Sequence, residues 1–91
     1  MPRPVKWRRV SMLPVERYFV PEGRESSASE EIVLKVEELE AMRLKDIEGL
    51  NQEQCAEKMN VSRQTFQLIL EKAREKTATA LVEGKAIRVK G

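Results

Sequence analysis

The chain has 91 residues with 17 Lys and Arg, 15 Asp and Glu, one Cys and no His, so its formal net charge is +2. Cys55 has no partner for an internal disulfide, and without His or a second Cys there is no adequate ligand set for structural zinc. No apolar segment approaches the roughly 18 residues of a membrane helix, and the basic opening segment lacks the apolar core of a signal peptide. We therefore expect one small cytoplasmic domain with no cofactor, no metal and no membrane contact.

Charge is distributed unevenly along the chain. Residues 1–10 carry a net +4, residues 25–57 carry −7 and residues 58–91 carry +5. Such a division is typical of a protein that turns one face toward a polyanion, and ordinary solvated charge is the alternative. Charge alone does not separate the two interpretations.

The N-terminal part is predicted to be an arm. Its first 24 residues contain all four prolines, which prevent a continuous helix. We interpret residues 1–30 as a basic, proline-containing arm and loop, and residues 31–91 as the folded domain. The basic residues of the arm that could follow phosphates or lie in a minor groove are Arg3, Lys6, Arg8 and Arg9. A flexible basic terminus is the alternative, and Trp7 would either stack on a base or anchor the arm.

A strand and a helix are predicted next. The segment EIVLKV from Glu31 is a strand candidate, and a helix over residues 36–48 follows, which Gly49 ends. Its buried face is expected to contain Val36, Leu39, Met42, Ile47 and Leu50. Arg43 falls within that face, so we expect an ion pair with Glu40 or Asp46.

Two further helices are predicted around a short turn. Asn51 and Gln54 form a capping-box pattern for a helix over about residues 52–59. Asn60 tolerates a left-handed turn, and Ser62 caps a second helix that runs from residue 63 to about 82.

The alternating tail KAIRVK predicts a last strand, paired with the arm or with EIVLKV. The expected fold class is therefore mainly α, a helix-turn-helix three-helix core with short β-strands from the N-terminal arm and the C-terminal tail.

In a helix-turn-helix, the second helix enters the major groove of DNA. Ala56 is small where the two helices would cross, and the expected inward residues are Cys55, Met59, Val61, Phe66, Ile69 and Leu70. The outward face of the second helix begins with Arg and Gln, which make paired hydrogen bonds with guanine and adenine edges. We expect base contacts from Ser62, Arg63, Gln64 and Gln67, and a phosphate contact from Lys72. An ordinary helical hairpin with a polar face is the alternative.

Several motifs occur in a characteristic order over essentially the whole chain: MPRP, KWRRV, YFVPEG, ELEAMRLKDIEGL, QEQCAEKMNVSRQTFQLIL and ALVEGKAIRV. In these motifs the chain resembles the domain of unknown function one-hundred-thirty-four family, whose helix-turn-helix is similar to region four of bacterial sigma factors. The resemblance implies a DNA-binding transcriptional regulator. The chain departs from the family pattern at Trp7 and Ser11, near which relatives often carry Cys, so no metal or redox role of the arm is carried over. It also departs at Lys35, Cys55 and Asn60, where a capping Ser or Thr, Ala and Gly are usual.

Three functional hypotheses follow. The first is a sequence-specific regulator that binds double-stranded DNA as a homodimer, with Ala73, Thr77, Ala80 and Leu81 offering surface to the twin subunit. The second is an adaptor that contacts RNA polymerase or another regulator, which the acidic residues 25–57 motivate. The third, an enzyme, is not expected, because the chain lacks His, a glycine-rich phosphate loop and paired carboxylates in a cleft.

Overall fold

The computed structural model describes residues 17–24 and 30–90. The strands are β1 (Arg17–Phe19), β2 (Glu31–Lys35) and β3 (Ala86–Lys90), and the helices are α1 (Val36–Met42), α2 (Gln52–Met59) and α3 (Arg63–Glu83). A π-helical segment, Arg43–Ile47, continues α1. The predicted mainly α fold with short strands is confirmed. Among the residues described, no helix is both long and apolar enough to cross a membrane.

The three strands form one sheet with β3 in the middle. β3 runs antiparallel to β1, with Arg88 opposite Tyr18, and parallel to β2, with Val89 opposite Leu34. The tail therefore pairs with both of the segments that were its predicted alternatives. Parallel strands need a long crossover, and the helices between β2 and β3 supply it. Leu34 and Val89 are buried against Ala73 of α3, which attaches the sheet to that helix.

The start of α1 is held by the side chain of Glu38, three residues after Lys35. Its Oε1 accepts a hydrogen bond from the backbone N–H of Lys35 at 2.9 Å. The ammonium of Lys76 on α3 donates to the same oxygen at 2.9 Å and to the carbonyl of Val33, also at 2.9 Å. The departure at Lys35 therefore leaves the backbone N–H of Glu38 without a side-chain acceptor, because an ammonium cannot accept a hydrogen bond, and only the reciprocal half of the capping box is present.

The helix predicted over residues 36–48 is present, but its second half is π-helical. The backbone N–H of Glu48 donates to the carbonyl of Arg43, five residues earlier, at 2.9 Å. Each such bond adds a residue to the turn and changes which side chains face inward. The predicted inward position of Ile47 is therefore wrong, because its side chain is 78% exposed, while Leu44 is buried instead.

Arg43 pairs with Glu40, as predicted. Its Nε and Nη2 each donate to one carboxylate oxygen of Glu40 at 2.9 Å, and Nη1 donates to Glu48 at 3.2 Å. The hydrogen bond to Glu40 raises the pKa of the Arg43 guanidinium. The other proposed partner, Asp46, pairs with Arg74 of α3.

The main core lies between α1, the π-helical segment, α2 and α3. Its buried residues are Ala41, Leu44, Cys55, Ala56, Met59, Phe66, Ile69 and Leu70, with Val61 packed against them. The predicted inward residues of α2, the turn and α3 are thus confirmed. The proposed twin-subunit surface needs correction, since Ala73 and Ala80 are buried within the chain while Leu81 is exposed. Ala73 faces inward because Leu34 and Val89 of the sheet pack against it.

Candidate nucleic-acid interface

The start of α2 is fixed by a reciprocal pair of hydrogen bonds. The Asn51 side chain accepts from the backbone N–H of Gln54 at 2.7 Å, and the Gln54 side chain accepts from the backbone N–H of Asn51 at 3.0 Å. This is the predicted capping box, and it satisfies two N–H groups that the helix leaves without an internal partner.

A three-residue turn, residues 60–62, sets the direction of α3. Asn60 has φ 60° and ψ 45°, the left-handed conformation expected for it. The backbone N–H of Val61 donates to the carbonyl of Ala56 at 3.0 Å, so the chain is tied to α2 as it leaves the turn. Ala56, 4% exposed, lets the two helices approach closely. The order of elements, a helix of eight residues, a three-residue turn and a helix of 21 residues, is the one predicted from the sequence.

Ser62 caps α3. Its Oγ accepts from the backbone N–H of Thr65 at 3.0 Å, and its hydroxyl donates to the Thr65 hydroxyl at 3.0 Å. The hydroxyl hydrogen of Ser62 is therefore engaged within the chain. A base contact by this residue would use its remaining acceptor capacity.

The first two turns of α3 present an open, mostly polar surface. Arg63, Gln64, Gln67 and Leu68 line a shallow concavity of about 460 Å³, together with Gln52 at the start of α2. In the part of the chain that the structure describes, Arg63 and the Gln64 amide have no hydrogen bond or ion pair. Their donors and acceptors are available to an external ligand, and Arg63 adds a positive charge to the end of the helix that already carries a positive dipole.

Leu68 was not singled out from the sequence as a site residue. It is 66% exposed, and it follows Gln64 by one helical turn on the same face. The spacing of four residues from Gln64 is the signal that would have found it. The neighbouring Ile69 and Leu70, which were predicted to face inward, fill the core and leave Leu68 on the outward face.

Acidic residues limit the extent of this surface. The Gln67 amide donates to Glu71 at 3.1 Å, and Lys72 lies 3.7 Å from Glu75 in an exposed ion pair. On α2, Glu53 and Glu57 are exposed and line a second concavity beside Arg63. A polyanion would therefore be repelled from both flanks and directed to the first two turns of α3.

The C-terminal positive charge is largely paired within the chain. Arg74 bonds Asp46, Lys76 bonds Glu38, Lys85 lies near Glu83 and Glu30, and Arg88 bonds Glu31. Hydrogen bonds to Asp46 and Glu83 raise the pKa values of Arg74 and Lys85, respectively. The net +5 of residues 58–91 is therefore not one free basic face. Arg63 carries the unpaired positive charge nearest the Gln64 and Gln67 amides.

The predicted phosphate-binding residues of the arm, Arg3, Lys6, Arg8 and Arg9, lie outside the described residues, as does Trp7. The structure brings together Ser62, Arg63, Gln64 and Gln67 at the start of α3. Lys72 lies farther along the same helix.

Comparison with known proteins identifies the family. The model of the family described as "Protein of unknown function DUF134" matches residues 1–91. The chain belongs to this family. A UPF0251 protein of Clostridium botulinum (strain Loch Maree / Type A3) is 66% identical over 91 residues, covering 100% of this chain and 58% of the relative. A UPF0251 protein of Clostridium beijerinckii (strain ATCC 51743 / NCIMB 8052) is 67% identical over 91 residues, covering 100% of the chain and 62% of the relative.

The DUF134 chain thus spans about three-fifths of the length of these curated relatives. No solved structure matches it. Because the names of the family and of the relatives state no activity, the functional argument depends on the geometry of α2 and α3.

Proposed function

We propose that this DUF134 protein binds double-stranded DNA sequence-specifically through α2 and α3 and acts as a transcriptional regulator. The observation that carries the proposal is the set of uncommitted hydrogen-bonding groups at the start of α3. Arg63 and Gln64 have no partner among the described residues, and Gln67 lies beside them on the same surface. Arginine and glutamine are the side chains suited to paired hydrogen bonds with guanine and adenine in the major groove.

The charges favour insertion of the first two turns of α3. The helix has 21 residues, so it is about 31 Å long. Its outward side chains become acidic at Glu71 and Glu75, which phosphates would repel. The N-terminal end instead combines Arg63 with the positive end of the helix dipole. Phosphate contacts would come from the N-terminus of α3, from Lys72 and from the basic arm.

We further propose that the protein acts as a homodimer. One helix-turn-helix makes few base contacts, and regulators of this kind usually read two half-sites. The exposed apolar residues at the end of α3, Leu81 and Val82, replace Ala73 and Ala80 as the candidate contact with a twin subunit.

A second candidate function is an adaptor that contacts RNA polymerase or another regulator. The exposed Glu53 and Glu57 on α2 favour it, since they form an acidic surface that would suit a basic protein partner. An adaptor would keep its partner when the side chains of α3 that read bases are removed, whereas a DNA-binding regulator would not.

The test is binding of the purified protein to a pool of genomic fragments across a salt series, with sequencing of the retained fragments. We expect one enriched motif. The variant Arg63→Ala should then bind that motif about 5- to 100-fold more weakly, which corresponds to one lost paired base contact.

Lys35→Ala is the matched control for charge. It also removes one positive charge, but at the sheet, and the cap formed by its backbone N–H is unaffected. Retention of random fragments with no enriched motif would contradict sequence-specific binding. Equal losses in Arg63→Ala and Lys35→Ala would show that affinity depends on net charge and not on base contacts.

A further inference from the structure

Leu68 is an apolar side chain within a polar surface. It is 66% exposed and borders the same concavity as Arg63, Gln64 and Gln67. The core does not need it, because Phe66, Ile69 and Leu70 fill the inward face of this part of α3. A single exposed leucine is ordinary on a protein surface, so its meaning depends on what lies next to it.

Its neighbours determine which kind of ligand fits. Gln64 lies one turn before Leu68 on the same face, with an amide that carries both a donor and an acceptor. Adenine offers the complementary pair, N6 and N7, in the major groove. Thymine presents its C5 methyl group there, an apolar feature that the other unmodified bases lack.

The spacing of the two side chains also fits a duplex. Residues four apart on an α-helix are separated by about 6 Å along the axis. Adjacent base pairs are separated by about 3.4 Å, so Gln64 and Leu68 would reach base pairs one or two steps apart. Arg63 at the helix start would pair with a guanine edge of the same site.

We propose that Leu68 contacts the C5 methyl group of a thymine while Gln64 bonds a nearby adenine, so that this surface recognises an A·T-containing step. The proposal rests on the proposed function, because it assigns the bases that the same surface reads. It adds a specificity-determining residue that makes no hydrogen bond.

The experiment removes only the methyl group. In the duplex recovered from the genomic pool, each thymine is replaced singly by deoxyuridine, which preserves base pairing, and affinity is measured by fluorescence anisotropy at fixed salt. We expect the loss of affinity at one or two positions to be about fourfold, the value for burying one methyl group. With Leu68→Ala, the thymine-to-uracil affinity ratio at those positions should fall to about 1.

Ile47→Ala is the matched control, since Ile47 is also an exposed aliphatic residue but lies on the π-helical segment. It should keep the fourfold ratio, and circular dichroism would verify that both variants are folded.

Four results would overturn the inference. If the protein binds no duplex, the proposed function fails and the inference fails with it. If it binds one motif specifically but no thymine-to-uracil exchange matters, or if Leu68→Ala retains the ratio, only the inference fails. If Leu68→Ala abolishes self-association and leaves the ratio unchanged, Leu68 contacts a twin subunit and not a base.

Discussion

The side-chain amide of Gln67 donates a hydrogen bond to the carboxylate of Glu71, one turn later on α3, at 3.1 Å. One hydrogen of the amide is thereby occupied, while the other hydrogen and the carbonyl oxygen stay available for a base edge. Glu71 acts on Gln67 as a positioning residue. It also places a negative charge at the point where the proposed DNA-binding surface would end.

We predict that Glu71→Ala lowers specificity while raising overall affinity. Binding to random duplexes should become stronger, because a charge that repels phosphates has been removed. The preference for the selected motif over random duplexes should fall about threefold, the lower end of the effect of one hydrogen bond, because the Gln67 amide loses its fixed orientation. Competition binding between the two duplexes at one salt concentration measures this ratio.

Glu75→Ala is the control for charge in that experiment. It removes the same charge one turn farther along, where the only described contact of the carboxylate is the exposed pair with Lys72. Both duplexes should gain affinity equally, so the preference should stay unchanged. Equal preferences in Glu71→Ala and Glu75→Ala would show that the hydrogen bond does not orient Gln67 for recognition.

We predict that Arg43 is essential for stability. The Glu40 carboxylate is fully buried and is held by two hydrogen bonds from this guanidinium. Arg43→Ala would leave the buried charge without that partner, which typically costs about 3–5 kcal/mol. Urea unfolding at neutral pH would measure the loss in the free energy of unfolding.

Arg74→Ala is the matched comparison for Arg43→Ala. Arg74 also pairs with a carboxylate, but Asp46 and Arg74 are both about half exposed. Exposed pairs contribute roughly 0–1 kcal/mol, so this variant should remain close to the wild type in stability. Similar losses of unfolding free energy in the two variants would show that the burial of Glu40 does not make the Arg43–Glu40 pair more important for stability than an exposed pair.

We predict that position 60 tolerates Gly better than Ala. The residue has φ 60°, a conformation that costs a side chain with a Cβ and no local hydrogen-bonding group about 1–2 kcal/mol. Asn60→Ala should therefore lower the free energy of unfolding by about 1 kcal/mol, and Asn60→Gly should change it by less. Urea unfolding of the pair tests this, and equal stabilities would show that the left-handed conformation is not retained in solution.

The features that depend only on neighbouring residues in the chain could be predicted from the sequence. The capping box of Asn51 and Gln54, the left-handed Asn60 and the cap at Ser62 each depend on residues within three positions of one another. The apolar spacing of α3 likewise identified Phe66, because every part of that helix is regular.

The burial of individual side chains was predicted wrongly where it depends on contacts between residues that are far apart in the chain. The π-helical bonds at Arg43 shift the phase of the helix, so Ile47 turns to solvent although its spacing predicts burial. Ala80 was assigned to a dimer surface because the sequence does not show which face of α3 is buried within the chain. The side chain of Ala80 lies on that buried face. At the candidate site, the hydrogen-bonding side chains were predicted from residue type. Leu68 was missed because its side chain has no hydrogen-bonding group, although its spacing from Gln64 places it on the same face.

We predict that the stability of the protein depends on the ionisation of Cys55. The side chain is buried, and its thiol lies 3.8 Å from the carbonyl oxygen of Leu50. Burial raises the pKa of this thiol, an effect that Lys45 opposes and Asp46 reinforces. The unfolded chain has a thiol pKa of about 8.5, so above that pH the unfolded state loses a proton that the folded state keeps.

The free energy of unfolding should therefore be unaffected by this group below about pH 8 and should fall as the pH rises above 8.5, by at most about 1.4 kcal/mol per pH unit. Urea unfolding of the wild type and of Cys55→Ala between pH 7 and 9.5 isolates the contribution, because the variant keeps every other titrating group. As the pH rises above 8.5, the free energy of unfolding of the wild type should fall relative to that of Cys55→Ala. A difference that stays constant over this range would show that the thiol has the same pKa in the folded and the unfolded chain.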